Sequence, residues 1–417
     1  MEDVRRQHLT PHVRSLRQSL VVAAVLFAAV SRAAAQTSDG GPDPTKVRVR
    51  LGPLWLNPTI ALTNLGVDNN VFNDPTDPRK DVTATVTPQT DAWLRMGRTW
   101  VTGTVKEDIV WFQKYASERS GNDSYTVGWR VPLNRLVASV NATWLDTRER
   151  PGYEIDTRAQ NRVTTYSGSV ELRTFSKTFI GVRGSQQTVR FDQNAVFRAT
   201  NLHDELNRRS TIGGLTLRYQ LTPLTNLTFA ASRQQDRFDA SLLRDSDSTT
   251  FSGSMAFEPA ALIKGTATFG YEQFEPLSPG LPRFKGTTMA VDLSYTLLGV
   301  SRFAVQATRS VQYSFEIAQP YYVQTGVNGS VAQQIFGPVD VVARAATQRL
   351  DYRDREAIVV AVPNRLDNVR SYGGGVGYHF GRDLRFGVNI DKQRRTSALA
   401  FRQYDDVTFG TSFTYGF

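Results

Sequence analysis

The amino-acid sequence predicts an all-β fold, a transmembrane antiparallel up-and-down β-barrel of about eighteen strands, and three observations predict it. Large and small side chains alternate in the last stretch, Asp406 to Phe417: Val407, Phe409, Phe413, Tyr415 and Phe417 share one face, and Thr408, Gly410, Ser412, Thr414 and Gly416 the other. About seventeen further segments from Leu54 onward repeat that period of two, and little else separates them. The connections between segments alternate between long and short. A sheet that crosses a bilayer needs one apolar and one wet face. It must also close on itself, because hydrocarbon offers no partner to an unpaired backbone group.

Composition narrows the alternatives. The 417 residues are 40% hydrophobic with 31 glycines, and the mean hydropathy is -0.34, too polar for a helical membrane protein. There are no cysteines, which removes disulfides, thiolate metal sites and thiol nucleophiles. At the N-terminus Arg14 and Arg17 precede the apolar run Leu20 to Val30, and Ala33, Ala34 and Ala35 follow it. This is the pattern of a signal peptide over 1–35, cleaved after Ala35; the run is shorter than the roughly 20 residues that span a bilayer. Residues 1–35 hold five arginines and two acids, +3 of the chain's +10, so about +7 remains, spread thinly. Without a basic helix or an aromatic-interleaved basic patch, nucleic acid is not an expected partner.

Residues 36–50 are polar and turn-rich and read as a short periplasmic tail, with the barrel over 51–417. The barrel opens with LGPLWLNPTIALTNLGVDNNVF. Gly52, Pro53, Pro58, Asp68, Asn69, Asn70, Val71 and Phe72 in this stretch resemble the start of the outer-membrane β-barrel porins associated with exopolysaccharide gene clusters. The C-terminal strand is similar to the signal read by the barrel-assembly machinery, which here falls on Phe409, Phe413, Tyr415 and Phe417. The resemblance implies a Gram-negative outer-membrane location, with membrane lipid, lipopolysaccharide and that machinery as partners. It brings polysaccharide into view as cargo and supplies no catalytic residue.

Taken in order, long loops fall near 69–80, 114–123, 147–161, 193–209, 239–247, 275–286, 316–320, 352–368 and 397–404. Short turns fall near Gly97, Pro132, Ser176, Pro223, Pro259, Gly299, Pro338 and Gly381. Together these connections join eighteen strands. Sixteen is the alternative, because the 316–320 connection is short and the first strand contains Pro58. An even count puts both termini in the periplasm and the long loops outside. Outward faces include Leu215, Leu217, Tyr219 and Leu221; Met289, Val291, Leu293 and Tyr295; and Tyr372, Val376, Tyr378 and Phe380. Arg190, Arg233, Arg309 and Arg349 fall in outward register, mostly at loop ends. Arg309 fits least well and marks a register error or a bulge, since a mid-bilayer arginine costs a few kcal/mol.

Inward positions such as Thr250, Ser252, Ser254, Gln324, Asn328, Ser330, Ser371, Gly373, Gly375 and Gly377 are too small to fill a barrel of this girth, so the interior reads as a wet channel. Arg95, Arg130, Arg173, Arg183, Arg218, Lys264 and Arg385 point inward near periplasmic turns and would form a basic collar that favours anions. The competing reading is that Asp91, Glu171, Glu258 and Asp292 cancel it. Loop aromatics such as Tyr115, Tyr153, Phe197, Phe238, Phe284, Tyr321, Tyr322, Tyr352, Phe401 and Tyr404 read as interface girdle or as a stacking track for sugar rings. Acidic clusters at Asp74, Asp77 and Asp81 and at Asp236, Asp239, Asp245 and Asp247 read as solvated loop charge, with divalent-cation bridging as the sharper option. His203 and His379 are the only histidines beyond the signal peptide, and no metal, phosphate-loop or cofactor motif is present, so no cofactor, metal or enzyme activity is expected. Two function classes stay open: a passive or polymer-conducting pore for small polar solutes or polysaccharide, and a surface-binding adhesion barrel with a loop-plugged lumen.

Overall fold

Segments such as Thr99–Phe112 (TWVTGTVKEDIVWF) extend because β-branched and aromatic side chains pack well on a pleated surface and the alternation leaves each face uniform. The computed structural model describes residues 47–258, 261–356, 358–381 and 383–416. The proposed signal peptide, most of the tail, Pro259 in one turn and the terminal Phe417 lie outside the described residues.

Eighteen long antiparallel strands make the barrel. In chain order they begin with β1 Leu54–Asp68, β2 Asp81–Met96, β3 Thr99–Phe112, β4 Ser120–Pro132, β5 Leu136–Glu149 and β6 Ala159–Arg173. Next come β7 Thr178–Phe191, β8 Arg208–Thr222, β9 Thr225–Phe238, β10 Ser246–Phe257, β11 Ile263–Pro276 and β12 Phe284–Leu297. The last six are β13 Ser301–Tyr313, β14 Tyr321–Phe336, β15 Val339–Arg353, β16 Leu366–Phe380, β17 Leu384–Thr396 and β18 Tyr404–Tyr415. Each pairs with its neighbours in sequence, and β18 returns to β1 through rungs from Ile60↔Tyr415 to Asp68↔Thr408, which closes the sheet. The three-residue strand Val49–Leu51 folds back on Leu54–Leu56 at the inner rim. Eighteen strands hold and sixteen do not: Pro58 stays in β1 opposite Thr90 of β2, below the first rung of the closing ladder.

The seam carries the irregularity. The β1–β18 register shifts between Leu62 and Leu65, where Asn64 has a φ of 52°. Gly66 lies so close to β18 that a Cβ there would stand 1.9 Å from the Phe409 carbonyl oxygen. Only a residue without a side chain lets the two edges meet at this bulge.

Exposed outward rows of Leu215, Leu217, Tyr219 and Leu221 on β8 and of Tyr372, Val376, Tyr378 and Phe380 on β16 agree with the predicted faces. Arg309 is in outward register, but the β13 ladders have no bulge. It stands instead at a fork. Pairing between β12 and β13 stops at Met289↔Arg309, although β12 reaches Phe284 and β13 reaches Tyr313. Beyond that rung the β13–β14 hairpin parts from β12, stays paired to β15 up to Tyr321↔Arg353, and bends into the mouth. Tyr313 packs 4.8 Å from the Phe238 ring and donates to Asp236 at 2.8 Å, on a strand four places away. Tyr321 and Val323, outward in register, are buried behind Phe274 and Phe284. The Arg309 guanidinium donates to the Thr287 carbonyl (3.0 Å) and the Thr325 hydroxyl (2.8 Å), satisfying a backbone group that the parted ladder leaves behind.

Candidate functional site

The lumen wall builds its chemistry on small residues. On the inward face of β16, Gly373, Gly375 and Gly377 leave room for side chains of β17 to lie flat over the strand. A Cβ on Gly373 would fall 1.8 Å from Asp391, on Gly375 2.2 Å from Asn389, and on Gly377 2.2 Å from Arg385. Asp391 reaches across this floor to accept two hydrogen bonds from Arg344 of β15, both at 2.9 Å. Arg385 makes a two-point contact with Asp340 (2.7 and 2.5 Å), whose second oxygen also meets the His379 ring at 2.6 Å. These groups line a cavity of about 560 Å³ with Asn389, Ser412 and Thr414. It presents guanidinium, carboxylate, amide and hydroxyl groups within one concave stretch, a mixed set of donors and acceptors.

Five of the seven predicted basic residues lie on one arc of the wall, β2 to β8, with Lys264 on β11 and Arg385 on β17. Arg130 and Arg183 share a row of rungs through Ser139 and Ser169. Arg173 and Arg218 flank Phe179, 5.1 and 3.8 Å from its ring, and Arg95 sits 5.9 Å from Trp100. Acids meet several of them. Arg218 is ion-paired to Glu171 at 2.5 Å, and Arg385 to Asp340. Burial pushes the Glu258 carboxyl, just beyond the end of β10, upward, and Arg130 and Arg218 pull it back. Asp91 and Asp292 accept from Thr104 and Gln306 rather than from an arginine of the arc.

Above the wall the long loops form a packed lid. The 150–158 connection leaves between β5 and β6 and reaches the β13–β14 connection, eight strands round an eighteen-strand ring and so nearly opposite. There the Glu154 carboxylate accepts from the Ser314 hydroxyl (2.7 Å) and the Phe315 amide (3.2 Å), with Arg365 3.7 Å away. Arg402 donates to the Glu154 carbonyl, and Arg395 to the Tyr153 carbonyl (2.8 Å) and to Asp367 (2.5 Å). Burial raises the Glu154 carboxyl above its ordinary range, with Arg402 and Arg365 offsetting part of the shift. Arg244, wholly buried, donates to the carbonyls of Ser314 (2.6 Å), Phe315 (3.1 Å) and Pro320 (3.3 Å) and pairs with Glu205 at 2.8 Å. An apolar core supports the network: Ile155, Phe191, Phe197, Leu202, Leu206 and Phe315 pack together, with Phe197 and Phe315 rings 4.9 Å apart.

This lid corrects the reading of the loop aromatics. Phe197, Phe238, Phe284, Tyr321, Tyr322, Tyr352 and Tyr404 are buried. They are neither a lipid girdle nor a track open to sugar. The acidic clusters are likewise engaged: Asp74 accepts from the amides of Thr76 and Asp77, Asp81 from those of Lys114 and Tyr115, and Asp247 pairs with Arg233 and Arg237. Asp340, Arg344, Asp391, Glu154 and the buried arginines were not singled out from sequence. For Asp340, Arg344 and Asp391 the one legible signal is an inward charged residue opposite an inward glycine; Glu154 and the buried arginines carry no such signal. Phe409, Phe413 and Tyr415 lie on the outer face of β18, exposed towards lipid.

Comparison with curated proteins finds no match. Among solved structures the chain is similar to a BenF-like porin from Pseudomonas fluorescens Pf-5, at 11% identity over 88% of this chain and 99% of that one, TM-score 0.48. It is also similar to the outer membrane protein opdK from Pseudomonas aeruginosa (10%, 86% and 97%, TM-score 0.42) and to OccAB4 from Acinetobacter baumannii (7%, 89% and 99%, TM-score 0.45). The sequence profile of the family described as "Putative beta-barrel porin 2" matches residues 43–415, nearly all of the barrel and its seam, and the chain belongs to that family.

Proposed function

We propose that this protein is an outer-membrane pore for small polar, sugar-like solutes, including segments of polysaccharide, and that its outer mouth is closed at rest by the loop lid. The observation that carries the reading is the lumen wall beneath the lid. A structural barrel would fill its interior with side chains, whereas here the glycine-floored face of β16 keeps a cavity of about 560 Å³ open beside Arg344, Arg385 and Asp391. Solute hydroxyls would donate to Asp391 and accept from Arg344 and Asn389, so passage exchanges hydration for wall contacts of similar strength. The packing of the lid favours a second reading, a surface-binding barrel with a permanent plug.

Planar-bilayer recording of the full processed chain tests both. The pore reading expects resolved channels whose current is reduced by oligosaccharide on either side. Gly373→Ala, which displaces Asp391 from Arg344, should weaken that block. Absence of conductance in the wild type and in a variant lacking residues 151–157 would leave the plugged barrel as the function.

A further inference from the structure

The register of the wall brings arginines into direct opposition on its lipid-facing side. Arg162 of β6 is the rung partner of Arg190 on β7, and Arg209 of β8 is the rung partner of Arg237 on β9. All four share the outward face with the exposed Tyr166, Val182, Leu215 and Phe229 on the same strands. Between the two pairs, Thr188 rather than Arg190 opposes Arg209, so those two stand on a diagonal, about 7–8 Å apart. The result is a row of four guanidinium groups on four consecutive strands, some 15 Å long at the usual strand spacing.

Like charges on facing rungs destabilise a sheet, so the row needs an anion. Acids meet part of it: Arg162 pairs with Asp146 at 2.6 Å, and Arg237 with Asp247 at 2.7 Å. For Arg190 and Arg209, both exposed, there is no acidic partner among the described residues. Height decides what could serve. Each arginine lies about a dozen residues above the periplasmic end of its strand. A crossing strand needs about 9–11 residues. The row therefore stands at the outer headgroup level, directly above the exposed apolar wall. A cationic ledge over an apolar face is the complement of a lipid with several phosphates on its headgroup.

We propose that the β6–β9 face is a docking site for the phosphorylated glycolipid of the outer leaflet. Its phosphates bridge Arg190 and Arg209, with Arg162 and Arg237 flanking them, and its acyl chains lie along Tyr166, Val182, Leu215 and Phe229. None of these residues lines the lumen, so the site is separate from the proposed pore.

The test uses the full processed chain in neutral detergent micelles, with bound lipid counted by native mass spectrometry as bisphosphorylated lipid A is titrated in. Arg190→Gln/Arg209→Gln is the variant, and migration of the unheated barrel on a gel confirms that it is folded. The expected result is saturable binding that the variant weakens roughly tenfold or more, since each charge-assisted contact is worth about a factor of ten. Dephosphorylated lipid A should bind weakly, and inorganic phosphate should not compete at millimolar concentration. Equal binding to wild type and variant overturns the site. Equal binding of the dephosphorylated lipid, or full competition by inorganic phosphate, overturns the proposed occupant. Conductance of the variant should match the wild type, so failure of this proposal and failure of the pore reading are distinguishable.

Discussion

Replacing Arg244 by alanine should open the lid. Its guanidinium is wholly buried and serves three carbonyls of the inward-bent hairpin tip, those of Ser314, Phe315 and Pro320, together with the Glu205 carboxylate. In the docked lid the truncated side chain leaves the Ser314 and Phe315 carbonyls without a donor and Glu205 without its ion-pair partner, whereas the Pro320 carbonyl keeps the Ser314 amide and Glu205 keeps the Ser241 hydroxyl; in the undocked lid water serves all of them. Glu205 is part-exposed, so losing its partner costs about 1 kcal/mol, and each of the two unserved carbonyls costs about 1–3 kcal/mol more. A net loss of roughly 4 kcal/mol shifts the docked-to-undocked ratio by about a thousandfold. Single-channel recording reads this as a large rise in the time spent open. Limited proteolysis of intact cells reads it as new cleavage in the 314–320 connection. Arg244→Lys, which keeps the charge but cannot fork to three carbonyls, should fall between. A wild-type open fraction together with wild-type protection in Arg244→Ala would refute the idea that this arginine holds the lid on the hairpin tip.

Four further outcomes are expected. Because burial raises the Glu154 carboxyl, its contribution to docking is complete below the ordinary glutamate range and is lost as pH rises through the raised value. Open time should therefore increase with pH in the wild type and lose that dependence in Glu154→Gln; opening on acidification would contradict this. Changing Arg130, Arg173 and Arg218 to glutamine frees Glu171, so the reversal potential across a salt gradient should move towards cation preference, less at high salt; an unmoved potential removes the basic arc from selectivity. The chain has no cysteine, so Val359→Cys, in a long loop, should react with an impermeant maleimide on whole cells and Phe175→Cys, in a short turn, should not; the reverse pattern inverts the topology. Deleting Phe417 should lower assembled barrel in outer-membrane fractions, and normal levels would mean the terminal ring is not read.

Strand number, the places of the turns and the two faces of each strand were legible in the sequence because they are local. A period of two is set by backbone geometry within a few residues, and loop length is covalent. Register was legible too, which is why the lumenal arginines could be named before their partners. The partners could not. Arg395 meets Asp156 from 239 residues away, and Arg385 meets Asp340 only because β15 and β17 flank the glycine floor of β16. The hydrophobic loop residues looked like membrane girdle because an aromatic side chain serves lipid and protein core equally well. Only the inward bend of β13–β14 put Tyr313 and Tyr321 against Phe238 and Phe274. Arg309 looked misplaced for the same reason: its role is to bond a carbonyl exposed where two strands part, and the parting is a property of the closed barrel. Alternation along a strand is decided by the chain itself, whereas what stands opposite, above or across the mouth is decided by closure, which brings together residues that no local pattern links.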